Sequence, residues 1–206
     1  YLDVDPWVVR EKGFHPERGL VSESLFSLAN EFMGARGYFE EGYGGESMVG
    51  SYFNSIFEKF YIDHPFRHRG MAKEEQKMLN SVDWLYTRIK IDGETLDLDK
   101  CRFRDFERSL DMREGVLKRS FVWEIRSGKN LKVSFERFTS MADPNAGCQK
   151  VMFEPMDFDG EVEITAGLDF TLPHHNTSGF LSEPFDSVWE RVKQESKGGI
   201  SAILAK

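Results

Sequence analysis

The chain has 206 residues, of which 40% are hydrophobic and 14% aromatic, so it can bury a sizeable core and is not wholly disordered. Its 27 basic and 35 acidic residues give a formal net charge of −8, which excludes a general binder of nucleic-acid backbones. No apolar run approaches the roughly 18 residues of a membrane helix, and the acidic start, Tyr1–Pro6, lacks the layout of a signal peptide. Cys101 and Cys148 lie far apart and form neither a metal-binding spacing nor a disulfide framework. We therefore expect one domain with two free thiols in a reducing, cytoplasmic setting.

The first eighty or so positions contain one ambiguous segment and one polar segment. Apolar residues at helical spacing follow Ser22, a candidate N-cap, and continue to Phe32. The same stretch also fits a strand over residues 24–28 with a turn at Asn30, and in an all-β context we favour the strand. Residues 59–80 are polar and contain several His and Pro residues, so we expect a long surface loop there.

From residue 81 onward the sequence predicts antiparallel strands joined by tight turns. Residues 88–91 and 94–98 flank Asp92-Gly93. An Asp-Gly pair is the strongest short hairpin signal, because both central residues of a type I′ turn need a positive φ. The other predicted strands lie at residues 121–125, 131–135, 151–153 and 161–165, with a turn at 127–130 between the first two.

The C-terminal part of the chain is ambiguous in the same way as the N-terminal part. The apolar residues of 185–192 fit a helix, but Lys197-Gly198-Gly199 followed by Ile200–Leu204 has the form of a turn and a returning strand. We favour strands at both places. The pattern is still continuing at Ala205-Lys206, so we also expect the domain to be truncated there. Successive strands without intervening helices predict an all-β antiparallel sandwich or barrel.

Paired acidic residues are the first candidates for chemistry, because glycoside cleavage uses two carboxylic acids. Three pairs stand out, namely Glu40 with Glu41, Asp97 with Asp99, and Asp157 with Asp159. Each pair lies beside a predicted turn, where acids often serve solubility and hydrogen bonding. In a chain with 35 acidic residues we interpret each pair as structural.

The histidines and possible nucleophiles of the sequence give no stronger candidate for a catalytic or metal-binding site. His64 and His68 have the spacing of a metal-binding pair on a helix, but Pro65 lies between them. His174 and His175 are adjacent, and adjacent residues of a strand point to opposite faces. A Gly-x-Ser-x-Gly elbow and a glycine-rich nucleotide loop are absent from the sequence. We therefore predict no catalytic residue and no metal site.

Residues 36–57 carry one functional hint, a mixture of aromatic residues, glycines, Asn and acids. Such a mixture suits a surface that contacts a sugar or docks on another domain, since ring faces stack on C–H groups while polar groups bind hydroxyls. The alternative, which we weigh more heavily, is that these aromatic residues belong to an ordinary core. Within this region we select Arg36, Tyr52 and Asn54 as candidates for contacts with a neighbouring domain or at a substrate mouth.

Four ordered segments carry a family resemblance, namely Ser22–Glu41, Gly50–Asn54, Asp105–Leu117 and Phe135–Met141. Together they resemble the N-terminal domain of glycoside hydrolase family 65, which includes maltose, trehalose, kojibiose and nigerose phosphorylases. The third segment contains an Asp-Met-x-x-Gly-x-Leu signature, and the fourth contains an Arg-Phe-x-Ser strand. Asn30-Glu31 departs from the Asn-Gly that is usual in the family, and Val82–Tyr86 resembles its kojibiose-phosphorylase-like branch.

The resemblance implies a large antiparallel β-sandwich of the galactose-mutarotase-like kind, formed by residues 1–206. It also implies that the catalytic general acid and the phosphate-binding residues lie on a separate (α/α)6 barrel, farther along the polypeptide. No catalytic residue is therefore carried over to this chain. The implied partners are that barrel, a disaccharide substrate and a second copy in a homodimer. Inorganic phosphate is the implied co-substrate, and no cofactor is implied.

Three functions stay open at this point. The first is a non-catalytic N-terminal domain that braces the barrel of an α-glucoside phosphorylase or hydrolase. The second is a free-standing carbohydrate-binding module whose aromatic face lies in residues 38–57. The third is a sugar epimerase with His174 or His175 as general acid. We rank it last, because the sequence places no carboxylate opposite these histidines and a fold alone does not establish a function.

Overall fold

A computed structural model describes residues 1–61, 69–174 and 188–206. The strands, in chain order, are β1 (Leu2–Val4), β2 (Val8–Lys12), β3 (Leu28–Ala29), β4 (Met33–Ala35), β5 (Ser51–Phe53), β6 (Phe57–Tyr61), β7 (Glu74–Met78), β8 (Thr87–Ile91), β9 (Glu94–Thr95), β10 (Arg102–Asp111), β11 (Val116–Glu124), β12 (Asn130–Thr139), β13 (Gly147–Pro155), β14 (Glu163–Ala166), β15 (Arg191–Lys197) and β16 (Ile200–Ala205). In these ranges the only helices are a 3-10 turn at Pro16–Arg18 and the helix α1 (Gly19–Leu25), and none is long and apolar enough to cross a membrane.

The main layer is a six-stranded antiparallel sheet with the order β1-β2-β10-β11-β12-β13. Its inner face packs against a three-stranded sheet with the order β14-β8-β9. Side chains alternate along a strand, so every second residue of β11 and β12 points into this interface. Phe121, Trp123 and Leu131 of the large sheet meet Ile89 and the neighbouring Leu96 there, and all five are 0–1% exposed. The prediction of an all-β antiparallel sandwich is therefore confirmed.

The predicted hairpin turns are present and have the expected backbone geometry. Asp92 and Gly93 connect β8 to β9 with φ angles of 50° and 77°. Gly128 lies in the turn between β11 and β12 with a φ of 90°. Gly198 and Gly199 connect β15 to β16, so the predicted returning strand at the C-terminal end is also confirmed. Residues 185–187 of the ambiguous segment lie outside the described residues.

The prediction of a loop over residues 59–80 is wrong for both ends of that segment. β6 and β7 pair antiparallel, from Phe57 opposite Met78 to Tyr61 opposite Glu74. The hairpin exposes the apolar Phe57 and Met78 and buries Lys77, so it lacks the alternation of buried apolar and exposed polar residues by which a half-buried strand is recognised. Residues 62–68 of this prediction lie outside the described residues.

The preference for a strand over residues 24–28 is also wrong in part. Helix α1 continues to Leu25, and the short strand β3 begins only at Leu28. Phe26 caps the helix and is 0% exposed, packed against Leu110 and Leu117 of the large sheet. Tertiary packing of Phe26 selects the helix, which the local pattern alone left open.

Gly37 lies where the chain leaves β4 and passes close to the end of helix α1. Its N–H donates to the carbonyl of Glu23 over 2.7 Å. A Cβ at this position would lie 2.8 Å from the Cβ of Phe26 and 3.0 Å from the Glu23 carbonyl oxygen. Only glycine therefore allows the two backbones to approach this closely.

We expect Gly37→Ala to lower the free energy of unfolding by about 1–3 kcal/mol, because the added methyl group overpacks a filled site. Gly167→Ala is the control, since a Cβ there meets nothing within 4 Å. Its effect should stay within about 0.5 kcal/mol. Urea denaturation followed by circular dichroism measures both. Equal stabilities of the two variants would contradict this account of Gly37.

Candidate functional site

Arg36, the first of the three selected residues, links helix α1 to the chain before β5. Its Nε donates to the carbonyl of Met48 over 3.0 Å, and its Nη2 donates to the Oγ of Ser24 over 3.0 Å. The guanidinium also lies 3.9 Å from the carboxylate of Glu23. These contacts hold the guanidinium in a fixed, half-buried position.

Tyr52 lies on β5, beside Arg36. Asn54 directly follows the end of β5. Tyr52 and Arg36 flank Gly50, where a Cβ would lie 2.6 Å from the Cδ of Arg36 and 2.8 Å from the ring of Tyr52. Burial raises the pKa of the Tyr52 hydroxyl. Asn54 is exposed, and its N–H donates to the carbonyl of Phe32 over 2.7 Å. The structure thus brings Arg36 and Tyr52 together beside Gly50, with Asn54 just past the end of β5, and their role in binding stays a prediction.

The first aromatic residues of the 36–57 region belong to the core. Tyr38 is 2% exposed, and its hydroxyl donates to the Oδ1 of Asp83 over 2.7 Å. Phe39 and Tyr43 pack around Phe14, with ring centroids 6.1 and 5.8 Å away. The alternative interpretation of these residues, as ordinary core, is therefore the correct one for this half of the region.

Glu40 and Glu41 are buried, not exposed at a turn, and both bind the guanidinium of Arg119. The Nη1 of Arg119 donates to Glu41 over 2.6 Å, and its Nη2 donates to Glu40 over 2.8 Å and also to Glu41. Arg137 lies 3.2 Å from the second oxygen of Glu40. Each of these four residues is at most 5% exposed. Together with the buried pair Arg108 and Glu11, they form what we call the buried ion network.

Strand register explains why three arginines meet beneath the large sheet. Arg108 of β10 is directly opposite Arg119 of β11, and Arg137 of β12 is opposite Leu117, the inward neighbour of Arg119. The alternation that buries Phe121 and Phe135 therefore also turns these arginines inward. Arg119 faces both rings, with its guanidinium carbon 5.5 and 4.2 Å from their centroids. Sequence reasoning missed the network, although arginines at inward positions of a strand were its signal.

Two carboxylates of the network, Glu40 and Glu41, differ in the cations that face them. Burial alone would raise the pKa of Glu40, but the guanidinium groups of Arg137 and Arg119 outweigh it and hold that pKa below its ordinary value. Burial raises the pKa of Glu41, and Arg119 opposes this only in part. Of these two, Glu40 is therefore the carboxylate that its neighbours hold more firmly in the charged form.

The other acidic pairs also have structural partners. Asp97 accepts hydrogen bonds from the N–H groups of Gly44 and Asp99, over 2.9 and 3.1 Å, and from the ammonium of Lys100 over 2.9 Å. Asp157 accepts hydrogen bonds from the backbone and side chain of Asn130, over 2.8 and 2.6 Å. In both pairs the contacts agree with the structural interpretation.

His174 is part of a buried hydrogen-bond arrangement centred on Asn80, which is 4% exposed. The N–H of Asn80 donates to the Nδ1 of His174 over 3.1 Å, so this nitrogen acts as an acceptor. His64, His68 and His175 lie outside the described residues. Across the described parts of the chain, no three His, Cys, Asp or Glu residues are grouped in a way that could hold a metal ion.

Asn80 binds three other segments of the chain, which sequence reasoning did not foresee. Its side-chain amide donates to the carbonyls of Val49 and Pro173, over 2.8 and 3.1 Å. Its Oδ1 accepts from the N–H of Ser51 over 2.8 Å, and its carbonyl accepts from the indole Nε1 of Trp189 over 2.9 Å. Asn80 therefore fixes β5 and Trp189 relative to each other, and no local signal in the sequence marks it.

Trp189 forms one wall of a groove between residues 168–171 and the β15–β16 hairpin. We call it the hairpin groove. It has a volume of about 670 Å³ and is lined by Leu168, Asp169, Phe170, Thr171, Trp189, Arg191, Gln194 and Ile203. The rings of Phe170 and Trp189 meet edge to face, with centroids 5.8 Å apart. The lining thus combines aromatic rings with carboxylate, guanidinium and amide groups.

Comparison with known proteins identifies the family. Residues 9–205 match the family described as glycosyl hydrolase family 65, N-terminal domain. The chain belongs to this family. The expectation drawn from its four ordered segments is therefore confirmed.

Relatives of this family 65 domain are considerably longer. It is 33% identical over 205 residues to an α,α-trehalose phosphorylase from Thermoanaerobacter brockii, covering 98% of this chain and 25% of that protein. It is 35% identical over 200 residues to a maltose phosphorylase from Bacillus subtilis (strain 168), and the match covers 97% of this chain and 25% of that protein. A solved structure of a proposed kojibiose phosphorylase from the human microbiome matches with a TM-score of 0.83 and 35% identity, covering 100% of this chain and 26% of that chain. The chain thus spans about a quarter of the length of these relatives.

We expect Arg119→Met to lower the stability of the family 65 domain by about 3–5 kcal/mol, because it leaves the buried Glu41 without its cation and Glu40 with Arg137 alone. Arg10→Met is the control on the same sheet, since Arg10 pairs with Glu107 at side-chain exposures of 37% and 46%. An exposed pair contributes at most about 1 kcal/mol. Urea denaturation at pH 7 compares the two. A loss for Arg119→Met no larger than that for Arg10→Met would show that the network does not hold the fold.

Lowering the pH should remove the contribution that the charge of Glu40 makes to the stability of the fold. Its folded-state pKa lies below its ordinary value of 4.5, so its charge stabilises the fold above that pH and ceases to do so as pH falls through the folded-state pKa. We therefore expect the stability difference between wild type and Glu40→Gln to be large at pH 7 and to shrink as the pH is lowered below 4.5. Denaturation curves across this range measure it. A constant difference for Glu40→Gln across this range would refute the assignment.

Proposed function

We propose that this chain is the non-catalytic N-terminal domain of an α-glucoside phosphorylase. The observation that carries the proposal is coverage: the domain matches phosphorylases acting on trehalose and maltose, but only over a quarter of their length. The chemistry-bearing groups of the described residues support it as well. Glu40, Glu41 and His174 are all engaged in buried contacts that hold the fold together.

In this proposal the reaction takes place on a helical barrel of the same polypeptide. Inorganic phosphate attacks the anomeric carbon of an α-linked disaccharide such as kojibiose, nigerose, maltose or trehalose. A carboxylic acid on the barrel protonates the leaving oxygen. The present domain supplies no reacting group and needs no cofactor. It braces the barrel and supports contacts in a homodimer, and we expect the whole enzyme to act in the cytoplasm.

The outer face of β16 is the surface on which we propose that the barrel packs. Ile200 and Leu204 alternate on the face of β16 opposite the hairpin groove, and they are 74% and 58% exposed. Exposed apolar side chains grouped on one face mark interaction sites. Arg36, Tyr52 and Asn54 stay proposed contacts to the barrel or to its substrate mouth.

The other two functions have less support in the structure. The aromatic face expected of a free-standing carbohydrate module begins with Tyr38 and Phe39, which pack in the core. The epimerase needs a histidine that donates a proton, whereas the Nδ1 of His174 accepts a hydrogen bond deep in the domain. The accessory-domain proposal is therefore the stronger one.

An assay of the purified chain tests it. We expect no release of sugar or sugar phosphate from kojibiose, nigerose, maltose or trehalose, with or without phosphate, while the Bacillus subtilis maltose phosphorylase turns over maltose in the same assay. We also expect the reading frame to continue into a helical-barrel sequence. Turnover by the 206-residue chain itself would refute the proposal.

A further inference from the structure

We propose that the hairpin groove is a binding site for a neutral saccharide, separate from any site on the barrel. The proposal goes beyond the accessory role of the domain, since it assigns the chain a ligand of its own. The groove has a volume of about 670 Å³, which lies within the range of about 300–1,000 Å³ that is usual for small-molecule sites. A disaccharide fits a groove of this size.

The aromatic wall of the groove is fixed before any ligand arrives. Trp189 is held by the hydrogen bond from its Nε1 to the carbonyl of Asn80, a residue that is 4% exposed. Phe170 packs edge to face on Trp189 with an interplanar angle of 61°. A ligand that stacks on these rings does not have to order them first, which lowers the entropic cost of binding.

A β-bulge aligns the polar groups of the opposite wall. The pairing of β15 with β16 shifts register between Arg191 and Lys193. Because of this shift, Arg191 comes to the same face as Gln194, although an odd number of positions separates them. Their side chains meet over 3.2 Å, from the Nη1 of Arg191 to the Oε1 of Gln194. The guanidinium and the amide therefore present further N–H donors toward the groove.

Asp169 supplies an acceptor in a set orientation. Its Oδ1 accepts hydrogen bonds from the N–H and the hydroxyl of Thr171, over 2.8 and 2.7 Å. Its Oδ2 accepts no hydrogen bond from the described residues. The carboxylate thus has one oxygen tied to the loop and one available to a hydroxyl group of a ligand.

The charges of the groove decide which class of ligand it suits. Among the described lining residues, Asp169 and Arg191 carry opposite charges, so their charges balance. A phosphorylated or carboxylated ligand would meet the carboxylate of Asp169 and a chain of net charge −8. A neutral ligand with many hydroxyl groups and apolar C–H faces matches both the rings and the donors and acceptors of the groove.

Titration of the chain with maltose, kojibiose or trehalose, followed by ¹H–¹⁵N NMR, tests the proposal. We expect saturable shifts of the indole N–H of Trp189 and of the amides of residues 168–171 and 191–194, with a Kd of about 1 mM. Arg191→Ala and Gln194→Ala should each weaken binding about tenfold, because each removes N–H donors that face the ligand in the groove. Lys193→Ala is the control, because Lys193 lies on the opposite face of β15 and is 63% exposed.

The outcomes separate this inference from the accessory-domain proposal. Absence of saturable shifts at about 50 mM saccharide, or unchanged affinity in both groove variants while their spectra stay folded, overturns the saccharide site. An inactive chain that binds no saccharide removes this inference alone. A chain that turns over a disaccharide removes the accessory-domain proposal, whatever the groove binds.

Discussion

The pairing of Arg119 with Glu40 and Glu41 beneath the large sheet is the interaction on which the rest of the domain depends. The chain from residue 36 to residue 41 crosses the inner face of this sheet without forming a strand, so no ladder satisfies its carbonyl groups. The arginines supply the missing donors. Arg137 donates to the carbonyls of Arg36 and Tyr38, over 2.8 and 3.1 Å. Apolar residues in their place would leave these carbonyls buried and without partners.

Buried ion pairs of this kind fix the position of a chain segment more than they add to the net free energy of folding. Removing two charges from water costs several kcal/mol per ion, which their attraction repays only when the geometry is good and hydrogen bonds are complete. Here both carboxylates bind guanidinium groups that also stack on aromatic rings, and the Arg119 guanidinium lies 4.3 Å from the centroid of Phe39. The network therefore fixes the crossing segment in a single position on the sheet.

Hydrogen bonds connect residues 36–41 to the hairpin groove. The segment held by the network begins where β4 ends, β4 pairs with β5, and Ser51 of β5 donates to Asn80. Asn80 in turn accepts the indole hydrogen bond of Trp189, which forms a wall of the hairpin groove. A continuous path of hydrogen bonds thus runs from the buried arginines to the groove. The buried acids of the chain serve this framework, which is consistent with a domain that supports chemistry performed elsewhere.

The sequence by itself determined the all-β class, the hairpin turns and the family, because turn chemistry, strand alternation and ordered segments are local properties of the chain. It predicted a strand where α1 lies and a loop where β6 and β7 pair, since neither segment has a pattern that excludes the alternative. Only the tertiary structure decided that Glu40 and Glu41 are buried, because Arg119 lies 78 positions from Glu41 along the chain. The hairpin groove was equally beyond prediction, since its walls come from separate segments that Asn80 joins. Local periodicity gives the face on which a side chain lies, but the partner it meets there depends on how distant segments pack.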